Sequence, residues 1–177
     1  MTKAKTAIAL TVAGSDSSGG AGIQADLKTF SALGVYGASA ITALTAQNTM
    51  GVDDLMAVSP EFVLAQMHAV ARDLDVGAIK IGMLATDETV EAVARGLDAF
   101  PDVPVVLDPV MVASSGDLLI DETAIGLLRQ QLVPRATVVT PNLEEAAVLL
   151  GEPPESREQM MEGRAQRLLA LGADVVL

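Results

Sequence analysis

Short apolar runs alternate along this chain with longer stretches whose apolar residues recur at helical spacing. Residues 7–12, 38–44, 78–83, 103–107, 136–139 and 173–177 read as strands. They are apolar nearly throughout, as strands covered on both faces are. Residues 21–33, 86–99, 121–131, 142–150 and 156–171 read as helices, the last with Ser156 and Gln159 spaced as a capping box. A further helix starts at Ser59-Pro60-Glu61, which supplies a cap, a proline at the first position and an early acid. It carries Phe62, Val63, Met67, Val70 and Leu74 on one face. Residues 51–58 alternate loosely and read as an extended flap. This order predicts βαβ units around a mainly parallel sheet. With 177 residues, a single domain spanning 1–177 can bury a sizeable core.

Composition removes several classes of function. Half of the residues are apolar and mean hydropathy is +0.42, yet Gly, Asp and Lys interrupt every run before the roughly 18 residues of a membrane span. The basic start and the apolar stretch 6–13 have the outline of a short leader, but a glycine-rich segment occupies the cleavage position. A net charge of −12, with three Phe, one Tyr and no Trp, opposes a nucleic-acid interface. The absence of cysteine excludes disulfides and thiol chemistry, and it fits a cytoplasmic protein.

The candidate chemistry concentrates after the first strand. Gly14, Gly19, Gly20 and Gly22, with Ser15, Ser17 and Ser18, form a strand-to-helix turn suited to close ligand approach. Serine hydroxyls and the helix N-terminus add donors. Gly14 and Gly19 have the spacing of a phosphate-binding P-loop, but Gly20 stands where that motif needs lysine. A dinucleotide fingerprint forced from Gly20 and Gly22 lacks the acid at the end of the second strand, where Thr45-Ala46-Gln47 occurs. Ser15, Asp16, Gln47, Asn48, Met83, Asp108 and Asn142 all follow predicted strands. Open α/β sheets bind ligands at that edge, so a small-molecule site is expected there. Lys80, inside an apolar strand, needs a carboxylate partner such as Asp108. His68 reads as a surface or packing residue. Ser17-Ser18 and Ser114-Ser115 have no histidine in a triad pattern, against a serine hydrolase.

The segment Ala13-Gly-Ser-Asp-Ser-Ser-Gly-Gly-Ala-Gly-Ile-Gln-Ala-Asp-Leu-Lys-Thr29 resembles the amino-terminal signature of the hydroxymethylpyrimidine/phosphomethylpyrimidine kinases of thiamine biosynthesis. Thr42-Ala-Leu-Thr-Ala-Gln-Asn-Thr49, Ile79-Lys-Ile-Gly-Met-Leu84, Leu107-Asp-Pro-Val-Met-Val112 and Thr140-Pro-Asn-Leu-Glu-Glu-Ala146 follow in the family's order. The resemblance implies a ribokinase-like three-layer αβα sandwich with a mainly parallel central sheet. It implies phosphorylation of 4-amino-5-hydroxymethyl-2-methylpyrimidine and its monophosphate, with ATP as co-substrate, Mg2+ as cofactor, and a homodimer. A pyridoxal or pyridoxine kinase of the same superfamily is the enzymatic alternative.

Roles carry over residue by residue, each beside a plainer reading. Gln47 is either a loop amide or the reader of the aminopyrimidine edge, which needs a donor and an acceptor together. Asp26 is an ordinary helix acid or a substrate contact. Gly14 and Met83 would give backbone approach and an apolar wall, although Met is also common core packing. Asn142 and Glu145 have the spacing of a capping box, and equally of the superfamily's magnesium and phosphate motif. Asp108 is a turn residue before Pro109, or faces metal and phosphate; the resemblance implies the second. Asp108 and Glu145 are thus the candidate metal ligands. The family continues past the position of Leu177 with its anion-hole loop and catalytic base, so the fold is expected to be truncated at the carboxyl-terminal side. No catalytic base is then expected within 1–177. A non-catalytic pyrimidine-binding fragment is the third reading.

Overall fold

The computed structural model describes residues 6–111, 120, 122–153 and 158–177. Seven strands form one sheet. They are β1 (Ile8–Asp16), β2 (Tyr36–Asn48), β3 (Gly51–Ala57), β4 (Ala78–Ile81), β5 (Val105–Leu107), β6 (Val138–Val139) and β7 (Val175–Val176). Their spatial order is β3-β2-β1-β4-β5-β6-β7. Every neighbouring pair is parallel except β2 with β3. The flap expected at 51–58 is therefore an antiparallel edge strand, paired from Asn48↔Gly51 to Ala43↔Ala57.

The helices are α1 (Gly22–Ala32), α2 (Pro60–Ala71), α3 (Asp87–Gly96), α4 (Glu122–Leu127), α5 (Leu143–Leu149) and α6 (Met161–Leu169). Ser59 caps α2 by accepting from Phe62 N–H, and Thr86 caps α3 by accepting from Thr89 N–H. A 3-10 turn over Leu97–Ala99 completes the stretch expected as one helix to 99. The helix expected over 121–131 is α4 only to Leu127, then a π-turn over Leu128–Leu132. Residues 113–117 and the capping box at Ser156 lie outside the described residues. No described helix is long and apolar enough to cross a membrane.

The chain reverses its direction of travel across the sheet after β2. It moves from β1 outward to β2 and β3, then returns past β1 to β4 and continues to β7. Right-handed crossovers accordingly put α1 on one face and the later helices on the other. Contacts follow this division: α1 packs on β1 and β2, whereas α2, α3, α4, α5 and α6 pack each on the next. Leu10, Val12, Ile79, Ile81 and Leu107 in the central strands are at most 1% exposed. Each contributes about 1.5–3 kcal/mol of transfer free energy. The polar site begins where these strands run out of apolar residues.

Candidate active site at the strand ends

The switch in strand order leaves a crevice beyond the carboxyl ends of β1 and β4, the position where open α/β sheets hold ligands. A cavity of about 320 Å³ opens there, lined by Gly14, Asp16, Gly22, Asp26, Thr45, Gln47, Lys80, Met83 and Asp108, among others. Two strands reach further into it than their apolar runs indicate. β1 extends to Asp16 and β2 to Asn48, so Ser15, Asp16, Gln47 and Asn48 lie on strand ends and not in the loops after them. The polar tips stay in register because β1 and β2 pair as far as Asp16↔Thr45, past a shift between Ala13 and Ser15.

Asp16 organises the glycine-rich turn. Its Oδ1 accepts from Ser18 N–H at 2.8 Å, and its Oδ2 accepts from Gly20 and Ala21 N–H at 2.9 and 2.8 Å. The Ser18 hydroxyl bridges both oxygens. In return, Gln24 Oε1 on α1 accepts from Asp16 N–H at 2.8 Å. The N-cap position itself is Ala21, which has no capping side chain; the Asp16 carboxylate instead fixes the turn that leads into the helix, at Gly20 and Ala21 N–H. Burial alone would raise the Asp16 pKa, but the bonds from Ser18, Ala21 and Gly20 prevail and hold it below the ordinary carboxylate range. The hydroxyls of Ser17 and Ser18 are thus engaged within the protein. Ser17 Oγ donates to Gln47 O at 2.7 Å and accepts from Gln47 N–H at 2.8 Å.

Two glycines keep the crevice open. A Cβ at Gly14 would strike Cε of Met83, and one at Gly22 would strike the Gly14 carbonyl oxygen. Gly22 also has φ +53°, which side-chain-bearing residues rarely adopt.

The floor is charged. Lys80 Nζ on β4 stands 3.3 Å from Asp26 Oδ2 and 3.2 Å from Asp108 Oδ2. The Thr11 hydroxyl donates to the same Asp26 oxygen at 2.6 Å. The expected pairing of Lys80 with Asp108 is present, and Asp26 joins it from α1. Sequence reasoning missed Thr11 and Thr45 as site supports, and it offered the Ser17 hydroxyl to a ligand where that hydroxyl instead holds the Gln47 backbone; Thr11 left a trace, as a polar residue within an apolar strand.

The predicted residues divide into two groups. Gly14, Asp26, Gln47, Met83 and Asp108 line this cavity. Asn142 instead lines a neighbouring cavity of about 810 Å³ between α5 and α6, and Glu145 lines neither. The capping box is fully formed: Asn142 Oδ1 accepts from Glu145 N–H at 2.9 Å, and Glu145 Oε2 accepts from Asn142 N–H at 2.9 Å. Glu145 is 7% exposed. Burial, with the nearby charges of Asp108 and Glu144, pushes its pKa above the usual range, against the hydrogen bonds from Asn142 and Met111. No group of three or more acidic, His or Cys side chains suited to a metal occurs among the described residues. The charge of Asp108 reaches Glu145 and adds to the rise in its pKa, although only Asp108 of the two lines the strand-switch cavity.

Comparison with known proteins follows the same lines. A family model described as phosphomethylpyrimidine kinase matches residues 16–177. A hydroxymethylpyrimidine/phosphomethylpyrimidine kinase of Rhizobium meliloti is 58% identical over 97% of this chain. The chain spans 64% of that relative's length. A crystal structure of phosphomethylpyrimidine kinase from Clostridium difficile superposes with a TM-score of 0.88 at 42% identity, covering 97% of this chain and 74% of that one. The pyridoxal kinase of Staphylococcus aureus, solved with pyridoxal, gives 0.87 at 34% identity over 97% of this chain and 64% of that one.

Proposed function

The chain belongs to the phosphomethylpyrimidine kinase family, and we propose that it binds 4-amino-5-hydroxymethyl-2-methylpyrimidine and its monophosphate for phosphorylation by ATP in thiamine biosynthesis. The observation that carries this reading is the cavity at the strand switch, where Gly14, Asp26, Gln47, Met83 and Asp108 meet around about 320 Å³. Gln47 supplies a donor and an acceptor for an aminopyrimidine edge, and Met83 an apolar wall for the ring. Asp26 takes the hydroxymethyl or ring-nitrogen side. Asp108 and Glu145 would hold Mg2+, which when bound offsets the charge of transferring phosphates. Asn142 fixes Glu145 from the N-cap of α5 and belongs to the phosphate side.

In this reading the catalytic base and anion hole are not among the residues of the strand-switch cavity. The protein works in the cytoplasm as a homodimer. Exposed Leu44, Met50, Leu55 and Met56 on and beside β3 support association.

The deciding experiment measures ADP release from MgATP, with and without the hydroxymethylpyrimidine, alongside calorimetric binding of that pyrimidine. Pyrimidine-dependent release that collapses in Gln47→Ala supports the kinase. Binding without release leaves a pyrimidine-binding unit. Release that depends on pyridoxal instead selects the second reading, which the Staphylococcus aureus likeness favours.

A further inference from the structure

We propose that Thr45 is a positioning residue that decides which end of the Gln47 carboxamide is turned to the ligand, and with it the orientation in which the ring binds. The inference rests on the reading that Gln47 meets the ligand.

Thr45 lies on β2 and is 8% exposed. Its Oγ1 is 2.8 Å from Ser15 O and 3.1 Å from Gln47 Oε1. A hydroxyl has one proton and two lone pairs, and a backbone carbonyl can only accept. The shorter contact, to Ser15 O, takes the proton. An oxygen facing Oγ1 at the second position would then meet lone pairs without a hydrogen between them. A half-turn of the carboxamide puts Nε2 there, at almost no steric cost, because the amide oxygen and nitrogen fill nearly the same space. Nε2–H then donates to Thr45 Oγ1, Thr45 donates to Ser15 O, and all three groups are satisfied.

The main chain cannot adjust to undo this. The Ser17 hydroxyl holds Gln47 at both its N–H and its carbonyl, at the register shift between Ala46 and Gln47. The carboxamide therefore hangs from a fixed backbone and is anchored at one end by Thr45.

An amide nitrogen carries two hydrogens. The one pointing away from the carbonyl serves Thr45. The one beside the carbonyl remains, next to the carbonyl oxygen, as a donor–acceptor pair in a fixed order. A ring with an acceptor nitrogen adjacent to an exocyclic amine fits that pair in one orientation only. The reversed amide would accept the same ring turned over, which carries the hydroxymethyl group next to the amine to the other side. Thr45 thereby governs both recognition of the amine and the direction in which the hydroxyl to be phosphorylated points.

The test uses Thr45→Val, which keeps the shape and removes the hydroxyl, with Thr45→Ser as the restoring variant. In ligand-free 15N-labelled protein, the Gln47 side-chain amide is assigned by its loss in Gln47→Ala. Its exchange with solvent is expected to speed up roughly five- to tenfold in Thr45→Val, the loss of one hydrogen bond, and to return in Thr45→Ser. In calorimetry, Thr45→Val should weaken binding of the aminopyrimidine about tenfold and leave the analogue lacking the amine unchanged. Unchanged Gln47 exchange, or equal weakening of both ligands, overturns the proposal. A wild-type protein that binds neither pyrimidine removes the reading of the site, and the ligand-free exchange still decides the role of Thr45 separately.

Discussion

Lys80 and Asp108 form an ion pair of 3.2 Å across the neighbouring strand ends of β4 and β5. The same ammonium stands 3.3 Å from Asp26 on α1. One cation therefore joins the side of the cavity assigned to the substrate with the side assigned to phosphate. The side chains of Lys80, Asp26 and Asp108 are 22%, 16% and 35% exposed, so water weakens the pairing without replacing it.

Lys80→Met should cost about 1–2 kcal/mol in urea unfolding, because two carboxylates lose a shared partner while little apolar surface changes. Asp108→Asn in the Lys80→Met background should cost less than in the wild type. Additive losses in that double-mutant cycle would show that the pair contributes nothing to folding.

The two cavity glycines should respond differently to an added methyl group. At Gly14 the obstacle is the flexible end of Met83, which can turn into the cavity. Gly14→Ala should keep most of its stability and lose tenfold or more in pyrimidine affinity, roughly the 1.4 kcal/mol of one spoiled contact. At Gly22 the obstacle is a backbone oxygen, and φ is +53°. Gly22→Ala should lose about 2 kcal/mol or more of stability. Thermal melts and calorimetry on the two variants separate these outcomes.

The mainly parallel sheet could be read from the alternation of apolar runs with helical patterns, because buried parallel strands must be apolar throughout; the order of its strands and the edge position of β3 could not. Nor could the lengths of β1 and β2. Their last residues, such as Asp16 and Gln47, are polar and glycine-rich neighbours mimic a loop, while the pairing that holds them comes from distant chain. That Gly14, Asp26, Gln47, Met83 and Asp108 would gather around one cavity was legible through motif likeness and, for Gln47, Met83 and Asp108, through their place after strands. The supporting roles of Thr45 and Ser17 were not, since their partners, Ser15 O and the backbone of Gln47, are set by register and carry no side-chain signature. The same limit applies to Asp16, whose hold on the Ala21 N–H spans five residues and matches no fixed spacing rule.

Asp16 should make stability depend on pH in the acid range. Its folded pKa is lowered, so its contribution is present above the unfolded carboxylate value, near 3.9. It is lost as pH falls through the still lower folded value. At pH 7, Asp16→Asn should cost about 1–3 kcal/mol through weakened bonds to Ser18, Gly20 and Ala21. The gap between variant and wild type should narrow steadily below about pH 4. A gap that stays constant down to pH 2 would mean that the charge of Asp16 is irrelevant and only its shape matters.

Glu145 should show the opposite sign. Its folded pKa is raised, chiefly by burial and then by the charge of Asp108. Its favourable contribution is full below the unfolded carboxylate value, near 4.3, and is lost as pH rises through the folded value. Glu145→Gln keeps an oxygen for the Asn142 N–H and removes the charge. In metal-free buffer the variant should lie close to the wild type at pH 4 and be the more stable of the two at pH 8. Added Mg2+ reverses the ranking if Asp108 and Glu145 bind it, because a divalent cation favours the ionised carboxylate that burial opposes. Melting temperatures of wild type and variant, taken with and without Mg2+ at pH 8, test both halves. A wild type that gains nothing from Mg2+, with or without ATP, would leave Glu145 as the capping residue of α5 and no more.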